Sequence, residues 1–191
     1  MSFAEQKKWV SLAAALAVLC CAPVASAQQS LLEYPSIHSP RVGLDGMVVS
    51  QNEVASAIGA KVLANGGNAI DAAVAVGFAL AVTLPRAGNI GGDGFMTVYF
   101  AGEKKVRVID FRSVAPNAAT LDMFVDDQGE ERAEASVGYR AAAVPGTVAG
   151  LWMAHQRYGR SSWNTLVAPA VSLARDGLVL SADEAFVFTW G

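Results

Sequence analysis

Hydrophobic and polar positions follow a helical period in the first part of the chain, where two helices are predicted. The first begins at the capping pattern Ser50 to Glu53 and ends at Asn65-Gly66-Gly67. The second begins at Asn68, runs from Ala69 to Thr83 and stops before Pro85. Because this second segment is apolar on every side, we expect it to be buried on every side.

The period then changes to two, which predicts a β-hairpin. Two alternating apolar runs flank the polar turn Ala101-Gly102-Glu103-Lys104. With this period, Asp110 and Arg112 share one face of the second strand, and Ile109 and Phe111 share the other. A glycine-rich loop precedes the hairpin, so the backbone there can take positive φ and can approach another group closely. Its glycines are Gly88, Gly91, Gly92 and Gly94.

Arg112, at the end of the hairpin and beside the glycine-rich loop, is the candidate ligand-binding residue. A guanidinium in this position can hold a carboxylate through two parallel hydrogen bonds. The alternative is that Arg112 forms a salt bridge with Asp110 or lies along the sheet edge. Composition alone favours that alternative.

The remaining pattern predicts one early strand, a polar surface segment and three late helices. Gly46 to Val49 is read as a short strand entering the domain, and residues 118–140 as a solvated excursion with a turn at Asp126-Asp127-Gln128-Gly129. The late helices are Val148 to Tyr158, Trp163 to Arg175, and one that begins at the capping pattern Ser181 to Glu184. Pro169 must lie near a first turn or else kink its helix.

The first residues have the composition of an export signal. Lys7 and Lys8 precede a short apolar core, and Ala25-Ser26-Ala27 fits a cleavage site. The apolar run is too short to span a bilayer comfortably, so no stable membrane span is expected after cleavage. We therefore expect a signal peptide at 1–27, an extended lead-in at 28–45, a domain from 46 to 191, and a periplasmic or extracellular location.

Composition limits the chemistry. The chain has 191 residues, 53% of them hydrophobic and 16% charged, with a net charge of −3, which argues for a buried core and against nucleic-acid binding. Both cysteines lie in the predicted signal, so no disulfide or thiol nucleophile is expected. His38 and His155 lack metal-ligand spacing, and His155 is expected at the surface. The glycine-rich loop follows a helix and precedes a strand, the reverse of nucleotide-binding motifs, so no cofactor is expected.

Four strings of residues carry a family resemblance. They are GGNAIDAAVAVGFALAVTLPRAGNIGGDGFM, DFRSVAP, VPGTVAG and PAVSLARDG. Together they resemble the start of the large subunit of the γ-glutamyltransferase (glutathione hydrolase) family. The resemblance implies an α+β fold, the αββα sandwich of N-terminal-nucleophile hydrolases, incomplete in this chain. It also implies an exported proenzyme that cleaves itself and exposes a catalytic threonine at the start of the small subunit.

The resemblance places one substrate contact in this chain. Arg112 matches the arginine that would hold the α-carboxylate of a γ-glutamyl group such as that of glutathione, with water, an amino acid or a peptide as acceptor. The family's threonine lies downstream in a Thr-Thr-His context that does not occur here, so no catalytic residue is expected in this chain. Asp93 departs from the glycine usual in transpeptidases. A related glutaryl or cephalosporin acylase, or a non-catalytic carboxylate-binding protein, therefore remains an alternative.

Overall fold

The computed structural model describes residues 42–189. The predicted signal peptide, the first part of the lead-in and His38 lie outside this range. The helices and strands within it are α1 (Glu53–Ala64), α2 (Ala69–Thr83), β1 (Phe95–Phe100), β2 (Lys105–Asp110), α3 (Thr147–Tyr158), α4 (Trp163–Asp176) and α5 (Ala182–Phe188), with a short 3-10 turn at Ala133–Ala135. Between residues 42 and 189, no helix is both long and apolar enough to cross a bilayer.

Helix α2 is the centre of the packing, as its sequence predicts. It contacts α1, α3 and α4, and every residue after Ala69 is buried or half-buried. Its first turn is closed by a capping box, in which the Asn68 side chain accepts from the Asp71 amide at 3.0 Å and Asp71 accepts from the Asn68 amide at 2.9 Å. The predicted stop of α1 is also confirmed, since Gly66 has a φ of 88°.

Asp71 joins α2 to the turn between α3 and α4. Its side chain is fully buried and accepts hydrogen bonds from the amides of Arg160 and Ser161, at 3.0 and 3.3 Å, and from the Ser161 hydroxyl. Burial opposes ionisation of Asp71. The hydrogen bonds that it accepts outweigh burial, so its pKa lies below the ordinary value. The carboxylate therefore ties the start of α2 to the turn that connects α3 and α4.

The predicted hairpin is confirmed, and one of its faces joins the core. Strands β1 and β2 pair antiparallel with Phe95 opposite Asp110 and Phe100 opposite Lys105. Ile109 is buried, and Met96 and Val98 pack against the same cluster. The buried members of this cluster come from α2, β2, α3 and α4: Ile70, Val74, Ala75, Ile109, Leu151, Ala154 and Leu166. The opposite face of the hairpin is exposed and largely apolar: Phe95, Tyr99, Val106 and Val108.

Two predictions near the start of α1 are wrong. Asn52, not Ser50, caps α1 by accepting from the Ala55 amide at 3.1 Å. The Ser50 hydroxyl is instead 2.8 Å from the Ser56 hydroxyl and donates to the Asn52 carbonyl, so it is engaged elsewhere. Residues 46–49 form no strand, because within the described range the sheet consists of β1 and β2 alone.

Pro169 lies in the interior of α4, which continues to Asp176, so of the two possibilities given by the sequence the kinked helix is the one that stays a prediction. One prediction about the late helices needs correction. His155 is half-buried rather than a surface residue. Its ring stacks on Trp152 and lies 5.3 Å from the ring centroid of Trp163, and its Nε2 is 2.8 Å from the Ser161 carbonyl.

Candidate functional site

The glycine-rich loop between α2 and β1 is shaped by close contacts and not by positive φ. The glycines with positive φ in the described range lie elsewhere, at Gly66, Gly129, Gly138 and Gly177. The loop therefore does not use the freedom of its glycines to take positive φ. The expected close approach is confirmed: a Cβ added at Gly88 would lie 2.7 Å from the Leu80 carbonyl oxygen. Glycine is required here because no room exists for a side chain.

The first turn of α3 fixes the loop from the other side. The Gly92 carbonyl accepts from the amides of Gly146 and Thr147, each at 3.0 Å. These amides belong to the first turn of a helix, where backbone donors have no partner within the helix itself. The VPGTVAG segment therefore satisfies its own helix start and holds the glycine-rich loop in the same contact.

Phe111 fixes the end of β2 against α3. Its amide donates to the Gly94 carbonyl at 3.1 Å. Its ring and Cβ fill the space beside Gly150, where an added Cβ would lie 2.1 Å from Cγ of Phe111. Because neighbouring residues of an extended segment point to opposite sides, the packing of half-buried Phe111 against the core directs Arg112 away from it.

Arg112, Asp93 and Ser113 form the candidate site. Arg112 Nη1 donates to Asp93 Oδ1 at 3.1 Å. The Ser113 amide donates to Asp93 Oδ2 at 3.0 Å, and the Ser113 hydroxyl donates to the same oxygen over a short distance. The loop carboxylate is thus bound by two consecutive residues at the end of the hairpin.

Asp110 does not form the salt bridge with Arg112 that was considered as an alternative. The ion-pair partner of Arg112 in the described structure is Asp93. Asp110 Oδ1 instead accepts from the backbone amide of Arg112 at 2.9 Å and so shapes the chain just beyond β2. The prediction of a salt bridge between Arg112 and Asp110 is therefore wrong.

The electrostatics of the site favour a charged Asp93 beside an accessible guanidinium. The hydroxyl and the amide of Ser113, and to a smaller extent Arg112, hold the pKa of Asp93 below its ordinary value. The Asp93 side chain is 19% exposed, and that of Arg112 is 65% exposed. The outer edge of the guanidinium therefore faces solvent and can donate hydrogen bonds to a second carboxylate.

The site offers ionic recognition of an anion, with no candidate metal centre in the part of the chain that the structure covers. Between residues 42 and 189, no group of three His, Cys, Asp or Glu side chains is placed to hold a metal ion. Sequence reasoning identifies Arg112 and notes Asp93 only as an unusual residue, and it misses Ser113 entirely. The position of Ser113 directly after the candidate arginine is the one local feature that could have suggested its role.

Comparison with known proteins identifies the family of this chain. The family model for gamma-glutamyltranspeptidase matches residues 55–190. The glutathione hydrolase proenzyme of Pseudomonas aeruginosa is 49% identical over 144 residues, which are 75% of this chain and 25% of that protein. This chain therefore spans about a quarter of the length of that relative.

Solved structures agree with the sequence match. The crystal structure of Helicobacter pylori gamma-glutamyltranspeptidase superposes with a TM-score of 0.74 at 45% identity, covering 79% of this chain and 43% of that one. A cephalosporin acylase from Bacillus halodurans gives a TM-score of 0.72 at 29% identity, covering 82% and 28%. The fold thus belongs to the class that contains both transpeptidases and acylases. Within that class, the chain belongs to the gamma-glutamyltranspeptidase family.

Proposed function

We propose that this chain is the N-terminal part of the large subunit of an exported γ-glutamyltransferase that cleaves or transfers the γ-glutamyl group of glutathione and related amides. Family membership and the placement of Arg112 support the proposal together. In the complete protein, this chain would pair with the small subunit, and together they would form an αββα sandwich. The exposed apolar face of the hairpin, which includes Tyr99 and Val106, is consistent with a further layer in that sandwich.

Arg112 carries the proposal for substrate binding. Its exposed guanidinium would hold the α-carboxylate of the γ-glutamyl group through two parallel hydrogen bonds. Three contacts make its position rigid: Phe111 packs on α3, Asp110 binds the Arg112 amide, and the glycine-rich loop holds Asp93 beside the guanidinium. A charged group that is positioned before the ligand arrives loses less entropy on binding.

The chemical step would use a threonine of the small subunit. Its hydroxyl would attack the γ-glutamyl carbonyl while its own α-amino group takes the proton, and the amine of the substrate would leave with a proton. The resulting ester would then pass the acyl group to water or to an acceptor amine. This chain would bind the α-carboxylate of the acyl group, and the small subunit would carry out the chemical step.

The test is hydrolysis of a γ-glutamyl anilide by the complete, processed protein and by its Arg112→Lys variant. A lysine keeps the charge but cannot form the paired bonds, so we expect kcat/KM to fall by about 30-fold or more. The matched control is Arg107→Lys on the same hairpin, where the arginine forms an exposed pair with Glu103 and the effect should be within twofold.

Other outcomes of this test point elsewhere. Near-normal turnover by Arg112→Lys would contradict the assignment of this arginine. Binding of glutamate by the complete protein without turnover would favour a non-catalytic carboxylate-binding role.

A related acylase is the second candidate, because the cephalosporin acylase from Bacillus halodurans superposes almost as well as the transpeptidase. An acyl group that ends in a plain carboxylate, such as glutaryl, could also bind Arg112. Faster hydrolysis of a glutaryl anilide than of a γ-glutamyl anilide by the complete protein would favour this candidate.

A further inference from the structure

A pocket lies directly beyond the candidate site, where the polar segment that follows the hairpin returns to the end of β2. Its volume is about 260 Å³, and its lining comes from three stretches of the chain: 113–116, 119–124 and 140–143. Ser113 belongs to both the pocket and the candidate site, because its amide and its hydroxyl bind Asp93. The pocket is therefore a neighbour of the Arg112 site that the acyl group itself does not use.

Backbone hydrogen bonds hold the walls of this pocket in place. The Val114 amide donates to the Val144 carbonyl at 3.3 Å, and the Val144 amide donates to the Val114 carbonyl at 2.9 Å. The Phe124 carbonyl accepts from the Arg132 amide at 2.8 Å. These bonds satisfy the backbone without filling the space between the walls, so the pocket is formed before a ligand binds.

The lining is mainly apolar and matches the size of one large side chain. Val114, Met123 and Phe124 supply the larger apolar side chains, and the other lining residues include several alanines that leave the space open. Val114 is exposed, and Met123 and Phe124 are half-buried, so a ligand that covers them removes apolar surface from water. The volume corresponds to about eight water molecules at ~30 Å³ each, comparable to the side chain of phenylalanine or leucine.

Arg140 supplies a positive charge to this apolar pocket. Among the described residues that line the pocket, it is the charged one. Its partner is Glu134, at a long distance of 3.7 Å, and the two side chains are 40% and 55% exposed. An exposed pair of this kind contributes little, so a bound carboxylate can replace Glu134 as the partner of the guanidinium.

The position of the pocket fits the part of the substrate beyond the acyl group. The γ-carbonyl carbon of an extended γ-glutamyl group lies about 5 Å from its α-carboxylate carbon, because carbon–carbon bonds of about 1.5 Å join them in a chain. Consecutive Cα atoms are about 3.8 Å apart, so the wall 113–116 begins one residue from Arg112 and extends past that distance. With the α-carboxylate on Arg112, the amine that leaves can therefore reach the pocket.

We propose that this pocket binds the amino acid that leaves, with its side chain among the apolar residues and its carboxylate on Arg140. The protein would then favour γ-glutamyl amides of amino acids that have a large apolar side chain and a free carboxylate. This inference rests on the proposed function and concerns the half of the substrate that Arg112 does not bind. A segment of the small subunit that fills the pocket is the competing occupant, and in that case changes in the lining would affect every substrate equally.

The first experiment removes the charge and compares two substrates that differ only in the carboxylate. They are γ-L-glutamyl-L-phenylalanine and its C-terminal amide, and kcat/KM is measured by release of glutamate in the complete, processed protein. For Arg140→Gln we expect a fall of about tenfold with the free acid and a change within twofold with the amide. Arg132→Gln is the matched control, since Arg132 is exposed in the same segment and does not line the pocket. It should leave both values unchanged.

The second experiment fills the pocket and leaves the charge in place. Ala142 lines the pocket, so Ala142→Leu should narrow it. We expect kcat/KM to fall about tenfold for γ-L-glutamyl-L-phenylalanine and to change by less than twofold for γ-L-glutamylglycine, which has no side chain to place. The ratio of the two values measures the use of the pocket directly.

Equal effects of Arg140→Gln on the free acid and the amide would overturn this inference, and so would equal effects of Ala142→Leu on its two substrates. Either result, with hydrolysis of γ-L-glutamyl 4-nitroanilide intact in the wild type, would mean that the pocket is filled by another part of the complete protein. Hydrolysis of none of these substrates by the wild type would overturn the proposed function instead.

Discussion

Asp71 and Asp93 bind the same kinds of hydrogen-bond donor but lie in different surroundings. Each carboxylate accepts from the amide and the hydroxyl of one serine, Ser161 in the first case and Ser113 in the second. Asp71 is fully buried, and neutral donors surround it. Asp93 keeps one oxygen against Arg112, whose side chain is 65% exposed.

The difference shows how the surroundings decide the role of a carboxylate. Where water is excluded and neutral backbone donors satisfy both oxygens, the group locks helices together. Where the same serine contacts leave one oxygen beside a solvent-facing cation, the carboxylate lies next to a charge that a ligand can reach. Loss of Asp71 should therefore lower stability, and changes near Asp93 should mainly alter substrate use.

The largest effect is expected for Asp71→Ala in the complete protein. The substitution leaves the amides of Asn68, Arg160 and Ser161 without their acceptor in a buried place. The free energy of unfolding should fall by about 3–5 kcal/mol, which denaturant titration measures. Asp127→Ala on the exposed turn is the control. A loss below about 1 kcal/mol for Asp71→Ala would remove the contrast between the two regions.

The pH dependence of that loss sharpens the comparison. The folded-state pKa of Asp71 is below its ordinary value of 3.8, so its contribution is complete above the unfolded-state pKa and is lost as pH falls through the lower folded-state pKa. The stability gap between wild type and Asp71→Ala should be constant between neutral pH and about pH 5 and should shrink below about pH 4. A gap that shrinks near neutral pH would contradict this sign.

A smaller effect is expected from Gly150→Ala, which acts on the site through its support. The new methyl group would lie 2.1 Å from Cγ of Phe111, so Phe111 must move and take Arg112 with it. We expect a loss of about 1–3 kcal/mol in stability and a clear fall in γ-glutamyl turnover. Gly102→Ala in the hairpin turn is the control, since an added Cβ there meets nothing within 4 Å. Full activity in Gly150→Ala would mean that Phe111 does not position Arg112.

Much of the fold is encoded locally, and the sequence predicts it well. The N-cap at Asn68, the stop at Gly66 and the hairpin all depend on residues a few positions apart, and the structure confirms them. The early strand and the Ser50 cap are wrong because each depends on partners that the local pattern does not identify. A strand needs a neighbour, and a serine with several acceptors in reach has more than one way to bond.

In the candidate site, Arg112 is predictable from the sequence, but its pairing with Asp93 is not, because that pairing depends on distant contacts. Arg112 can be found from its place after an alternating strand and from the family resemblance. Its pairing with Asp93, 19 positions earlier, depends on the glycine-rich loop folding back onto the strand end. That fold depends on Gly92 meeting the first turn of α3, a contact between segments that are far apart in sequence. No periodicity in either segment encodes it.

The decisive measurement is a crystal structure of the complete, processed protein with L-glutamate bound. We expect the α-carboxylate of the ligand to lie within about 3 Å of the Arg112 guanidinium nitrogens. A ligand whose α-carboxylate binds a different cation, with Arg112 still paired only with Asp93, would contradict the assignment of this loop and strand end as the site for the γ-glutamyl group.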